Sequence, residues 1–433
     1  MLRALQEAEA EATPEVREAI WKNFHIVAYI GFMYDELSAG WKFISIFYHA
    51  FCIVHQFLYA GIQLYTMALL IETNLLDAVV SINFSCLTYL SFLTMITNAA
   101  NRTNVSLLMK AVHDGFYDYG GTLSKKEIDK RIAESNERRK FVTLSITGVI
   151  SICIGSFFIS AVIDTMLGYE EKEIRIEGIY QHGNVKAWFP FNATSQFSLE
   201  TAVTLYMLHN VFTTGTTLMA LNLFNILGAL TIILQLNILK TAISSLESRA
   251  YDMYRKRVKR KIPFSLALHK DSHYVSCMNY CLAQTVQHHQ VLIKKFGNYT
   301  SVMTYPLFFY VSFCAVFMAT SAIGLQEKDA SPSVKMMCFS LLVAQILTLG
   351  ATCFGLGQIS SISADLKNDL YFLNWYDYHP STKKAIKIML EKMKRPIVLK
   401  AGGLAIVNWE LFANVMQGFY SYVNLYNLAN GRK

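Results

Sequence analysis

The chain has 433 residues, 53% of them hydrophobic and only 16% charged, with seven prolines. A soluble chain of this length carries nearer 25% charge and divides into two or three domains, so this composition argues instead for one block of long apolar helices. The net charge of +8 admits nucleic acid as a partner, but its distribution along the chain assigns it to membrane orientation.

Residues 1–42 form a polar N-terminal segment with Glu7, Glu9, Glu11, Glu15 and Glu18 and no apolar run of the kind cleaved on secretion. The N-terminus is expected to stay in the cytosol. A bilayer core needs about 20 mostly apolar residues in a helix. Six segments meet this, at roughly 43–66, 75–98, 141–166, 201–236, 299–325 and 334–356. A seventh, at about 402–428, is interrupted by polar residues. With the N-terminus inside, 32 of the 39 Lys and Arg residues fall in cytosolic segments, a strong positive-inside bias. The expected fold is all-α: seven transmembrane helices with a cytosolic N-terminus and an extracellular C-terminus.

This orientation is the reverse of a G-protein-coupled receptor. The outer loop 167–200 also lacks the cysteine that pins it in most such receptors, because all eight cysteines lie in spans or cytosolic segments. Cys277 and Cys281, four residues apart, are read as buried thiols in a reducing compartment rather than metal ligands. His288 and His289 are read as surface or packing residues. No metal or other cofactor is expected. Asn192 heads a glycosylation sequon in the outer loop.

Four helical patterns outrun the membrane. Residues 201–249 contain no proline, and at about 1.5 Å per residue they exceed twice the hydrocarbon core. The stretches 274–297, 357–374 and 382–394 also alternate apolar and polar residues at helical period. The segments 237–298 and 357–400 are therefore expected to bundle below the membrane as a base where subunits meet. The intervening regions are 43–236 for helices one to four and 299–356 for helices five and six. Residues 401–433 carry helix seven and a short tail. Pro306 should kink the fifth span.

Helix seven carries a polar stripe. Glu410, Asn414, Gln417, Ser421 and Asn424 follow one another at steps of 4, 3, 4 and 3, so they share an arc of about 80°. Leu411, Val415, Phe419, Tyr422 and Tyr426 lie opposite. Such a stripe must face water or protein. Either several copies ring a water-filled axis, or the stripe bonds to neighbouring helices. The regular spacing favours the ring. Leu425 and Leu428 extend the arc and suit a gate that closes by dewetting.

The last third reads LKNDLYFLNWYDYHP…MKRPIVLKAGGLAIVNWELFANVMQGFYSYVNLYN. Trp375-Tyr376, Arg395-Pro396, Leu399, Ala401-Gly402-Gly403 and Tyr420-Ser421-Tyr422 together resemble the signature of the insect odorant receptor family. The resemblance is dense over about 65 residues. It implies an odorant-gated, non-selective cation channel, in which each of four subunits gives its last helix to one pore. The tail differs from that of the family's co-receptor. The resemblance therefore implies a ligand-tuned subunit that joins co-receptor subunits in a heterotetramer, in the plasma membrane of olfactory neuron dendrites.

It also implies a pocket for a small volatile odorant among the outer halves of spans two, three, four and six. On those spans Ser81, Phe84, Ser85, Thr88 and Phe92 share one face, as do Ser151, Gly155 and Phe158. Tyr206, His209, Asn210 and Thr213 are the polar set of span four, and Met336, Phe339 and Ser340 open span six. Phe and Met offer contact area without demanding hydrogen-bond partners.

The rivals fit less well. The acidic-Arg-Tyr and N-P-x-x-Y elements of G-protein-coupled receptors are missing. Gustatory receptors carry a phenylalanine after the tyrosine of helix seven, which is not found after Ser421-Tyr422. A secondary transporter would show repeats between halves. No nucleophile elbow, phosphate loop or spaced acid–base cluster suggests an enzyme.

Overall fold

The computed structural model describes residues 39–101, 104, 117–168, 178–182, 185–191, 197–258, 266–328, 330–429 and 431. The acidic N-terminal stretch 1–38 and the sequon residue Asn192 lie outside the described residues.

The chain is a bundle of long helices: α1 (Ala39–Leu70), α2 (Leu75–Ala100), α3 (Lys125–Phe158), the short α4 (Ser160–Met166), α5 (Phe197–Ser244), α6 (Leu246–Val258), α7 (Ser272–Gln326), α8 (Pro332–Tyr371), α9 (Pro380–Lys392) and α10 (Trp409–Ala429). Six of these, α1, α2, α3, α5, α7 and α8, are long and apolar enough to cross a membrane. The seventh, α10, has the length, at 21 residues, but carries the polar stripe.

Helix starts follow local chemistry. The Asn74 side chain accepts the Asp77 backbone N–H at the start of α2. Ser331 caps α8 with proline at the first helical position, and Asp271 accepts two backbone N–H groups at the start of α7. Each cap satisfies donors that a helix end leaves open. Pro306 sits within α7, which runs on through it.

The 48 residues of α5 and 55 of α7 extend about 70 and 80 Å, well beyond a bilayer core. They continue into a base with α6, α9 and the end of α8. One apolar core runs the whole way, from Leu87 and Leu90 through Leu236, Cys277 and Cys281 to Ile386 and Met389. In its apolar window α5 is 78% buried, whereas α3 is 22% buried; α5 is the central post and α3 a peripheral one. On α1 the exposed Phe43, Phe47, Phe51 and Val54 recur at helical spacing and form one apolar strip on the outside of the chain.

Polar pairs tie the apolar helices together. Gln56 donates to Thr213 at 2.6 Å, Thr320 to Asn83 at 2.6 Å, and Tyr299 to Asn225 at 2.5 Å. Without water as a competitor, such interhelical bonds add directly to packing.

The structure departs from the sequence expectation in two places. The stretch 99–140, between the second and third expected spans, contains the start of α3, from Lys125, because a charged helix carries no apolar period to announce it. Two short hairpins also interrupt the all-helical pattern. In one, β1 (Ile179–His182) pairs antiparallel with β2 (Val185–Trp188). In the other, β3 (Lys400–Ala401) pairs with β4 (Ala405–Ile406). Strands this short show no measurable alternation. The Ala401-Gly402-Gly403 motif makes the second turn: both glycines have positive φ, and a Cβ on Gly402 would lie 2.7 Å from the Phe308 ring.

Candidate functional site: a cavity, a polar helix and a buried base

A cavity of about 100 Å³ lies within the membrane-length part of the bundle. Its walls come from α2, α3, α5, α7 and α8. The apolar surface is supplied by such residues as Phe84, Leu87, Ile154, Phe157, Met337 and Leu341. The polar lining is largely committed to protein partners. The Tyr310 hydroxyl lies 2.6 Å from Thr348, Thr214 donates to Gln56, and the Asn210 amide donates to Thr88 at 3.2 Å. The space therefore suits a small, mostly apolar molecule.

Two of the residues expected at the pocket line this cavity: Phe84 and Asn210. The others stand elsewhere. Ser85 donates to the Ala60 carbonyl of α1, and Ser81 is buried. Thr88 accepts the Asn210 amide from behind, and the Phe92 ring lies tilted against Phe57 of α1, with centroids 5.4 Å apart. Ser151 and Phe158 are exposed, and a Cβ on Gly155 would meet nothing within 4 Å. Tyr206, His209 and Thr213 face α1, through His55 at 4.2 and 4.8 Å and through Gln56. Phe339 is 60% exposed, Met336 is half-buried, and the Ser340 carbonyl accepts from the Cys153 thiol. On α3 the lining positions are Ile150, Cys153, Ile154 and Phe157, the face next to the expected one. The only sequence signal for that face is Gly215, which opposes it: a Cβ there would fall 2.5 Å from Ile154 Cδ1.

The hairpin β1–β2 packs against one end of the bundle. Lys186 and Asp77 form a 2.7 Å ion pair at side-chain exposures of 6% and 12%. The Trp188 backbone N–H donates to Thr66, and the Trp188 ring meets Tyr65 at 4.7 Å.

On α10 the stripe is open. Glu410, Asn414, Gln417 and Ser421 are exposed, Asn424 is half-buried, and Leu425 and Leu428 are 65% and 74% exposed. Val415, on the opposite face, is the buried residue of this helix. The apolar side seats on α7 and α8, where Phe412 reaches to 3.6 Å from the position of a Cβ on Gly350.

In the base, His288 is fully buried, with Nδ1 2.8 Å from the Tyr119 hydroxyl and Nε2 3.1 Å from Gln235. Arg249 is also buried. It donates to Thr285 and the Ala242 carbonyl, and its guanidinium sits 5.1 Å above the Tyr119 ring. Burial pulls its pKa below the usual arginine value, partly offset by Cys281 and the tyrosines beside it. Tyr117 and Tyr119, outside any span, thus clamp the segment before α3 onto α5, α6 and α7. Among the described residues no group of three or more His, Cys, Asp or Glu is placed to hold a metal.

The 7tm Odorant receptor family matches residues 74–420. The chain belongs to that family. Odorant receptor 94a of Drosophila melanogaster is 24% identical over 103 residues, 24% of this chain and 26% of that protein. Odorant receptor 9a of the same fly is 29% identical over 119 residues, 27% of this chain and 30% of that protein. The matched stretches thus span less than a third of those relatives. Among solved structures, the insect olfactory receptor OR5 from Machilis hrabei in complex with eugenol aligns with a TM-score of 0.73, over 95% of this chain and 97% of that one, at 14% identity. A second structure of OR5, whose title names no ligand, gives 0.72. At such identity the likeness speaks to fold: a seven-helix odorant receptor architecture, reached by a sequence that shares few residues with its structural neighbour.

Proposed function

We propose that this chain is an odorant-binding subunit of a non-selective cation channel, assembled as a heterotetramer with co-receptor subunits in the plasma membrane of olfactory neuron dendrites. The observation that carries the proposal is the open stripe on α10. In a membrane, Glu410, Asn414, Gln417 and Ser421 would face hydrocarbon on an isolated subunit, at a cost that lipid cannot relieve. Arranged around an axis, the same faces enclose water. The distribution of Lys and Arg, 32 of 39 on one side, supports an inside base and an outside C-terminus. The cavity among α2, α3, α5, α7 and α8 would hold a small volatile, and α7 and α8, which touch both the cavity and α10, would pass occupancy to the pore.

The test is expression with and without a co-receptor, with currents recorded against an odorant panel and an extracellular C-terminal tag read in unpermeabilised cells. The expected result is odorant-evoked current with the co-receptor, tag access from outside, and a fourfold or near-fourfold particle joined through 237–298 and 357–400. A monomer in both detergent and lipid, or a tag accessible only after permeabilisation, overturns the proposal.

A further inference from the structure

The cavity among α2, α3, α5, α7 and α8 leaves one polar atom unmet. Asn210 of α5 lines it and is fully buried. The Asn210 amide donates to Thr88 at 3.2 Å, but its Oδ1 has no hydrogen-bond partner. Among the described residues of the wall it is the one buried side-chain atom so left. An acceptor buried without a donor is costly and uncommon.

The hydroxyl and thiol protons of the wall are already placed. Tyr310 donates to Thr348, and Thr348 to the Ala344 carbonyl at 2.7 Å. Thr214 donates to Gln56 at 3.1 Å, and the Cys153 thiol to the Ser340 carbonyl at 3.3 Å. None of these turns to Asn210. The Gln345 Oε1 accepts the Cys314 thiol at 3.4 Å, so what Gln345 can still offer a ligand is its amide N–H groups. Most of the remaining wall is apolar, with Phe84 and Leu87 on α2 and Met337 and Leu341 on α8.

We propose that the ligand of this cavity is a short-chain alcohol whose hydroxyl donates to Asn210 Oδ1. This rests on the odorant-binding role given under the proposed function and narrows it to one chemical class. Ketones, esters and ethers only accept, so they leave Oδ1 unmet or set one acceptor against another. An amine could donate, but it enters as a cation that an apolar wall cannot solvate. An ordered water needs two to four polar partners, whereas an alcohol meets the acceptor and covers the apolar wall with its carbon chain. Size follows from volume. A cavity of about 150 Å³ holds benzene, so about 100 Å³ admits a chain of roughly four or five carbons.

The test uses the purified full assembly in nanodiscs with 1-pentanol, butyl methyl ether and 2-pentanone, which match in heavy atoms and differ in their power to donate. Binding is read by equilibrium dialysis with mass-spectrometric detection. Gly215→Val, whose cavity is filled, serves to subtract uptake by lipid. Asn210→Leu should weaken 1-pentanol about tenfold and shift the ether and the ketone by no more than about twofold. Comparing one ligand across two proteins cancels its hydration. Unchanged pentanol affinity in Asn210→Leu overturns the proposal, as does pentanol uptake no greater than in Gly215→Val. Should Asn210→Leu assemble poorly or lose all three ligands alike, the wild type decides. Pentanol bound about tenfold tighter than the ether supports the assignment, and equal or weaker binding overturns it. A wild type that favours the ketone also overturns it, and assigns recognition to an N–H, from Gln345 or from an Asn210 amide turned the other way. No current is read, so failure here leaves odorant-gated conduction standing, and absence of odorant-evoked current leaves the ligand ranking measurable.

Discussion

The Tyr310 hydroxyl, on α7, lies 2.6 Å from the Thr348 hydroxyl on α8, and both line the cavity. Thr348 spends its own proton on the Ala344 carbonyl at 2.7 Å, so Tyr310 is the donor. The two helices that share this bond are also the two that seat α10. Tyr310→Phe removes the donor and leaves only a lone pair unmet. Thr348→Val instead orphans a buried hydroxyl, which costs about 1–3 kcal/mol against about 1 for the first change. The double variant should therefore lose less than the sum of the single ones. Thermal unfolding of the purified assembly measures this, and odorant dose–response curves should shift by about two- to tenfold for Tyr310→Phe. Strictly additive losses would show that the bond is not made.

Gly215 and Gly155 make a matched pair. Any Cβ at Gly215 displaces Ile154, which lines the cavity, whereas a Cβ at Gly155 meets nothing within 4 Å. Gly215→Val should fill the cavity and weaken odorant activation about tenfold or more, since closely packed sites yield little to added methyl groups. Gly155→Trp should leave the dose–response unchanged at normal surface expression. The opposite ranking would move the odorant site to the outer face of α3.

The exposed stripe of α10 gives an electrical prediction. Leu425→Ser should raise basal current by easing wetting at the narrow end. Gln417→Ala should alter relative permeability or unitary conductance. Wild-type values for both, with normal surface expression, would remove α10 from the pore.

The Asp77–Lys186 pair fastens the β1–β2 hairpin to α2. Asp77→Asn leaves a buried ammonium without its counter-charge, a change worth about 3–5 kcal/mol. A lower unfolding temperature and faster proteolysis near residues 178–191 are expected. Adding Lys186→Met should recover most of the loss. Unchanged melting in Asp77→Asn would mean that the pair is solvated.

How much of this was legible follows from contrast. On α10 the environment is written in the sequence, because Glu410, Asn414, Gln417 and Ser421 differ from Leu411 and Val415 in polarity, and a 3.6-residue period then gives both the helix and its open face. Length and apolarity likewise mark the spans, and charge asymmetry suggests their direction. Which face of α3 or α8 meets the cavity is not written in this way. Ile150 and Ile152 are equally apolar, yet the first lines the cavity and the second is 64% exposed. Lipid and protein interior are alike in polarity, so hydropathy loses its phase inside a membrane. Only packing decides there. Gly215 lets Ile154 close on α5, and α1 draws Tyr206, His209 and Thr213 away from the cavity. The base follows the same division. Its amphipathic helices were readable from their period, whereas the burial of Arg249 and His288 under Tyr119 depended on a loop whose docking no local pattern encodes.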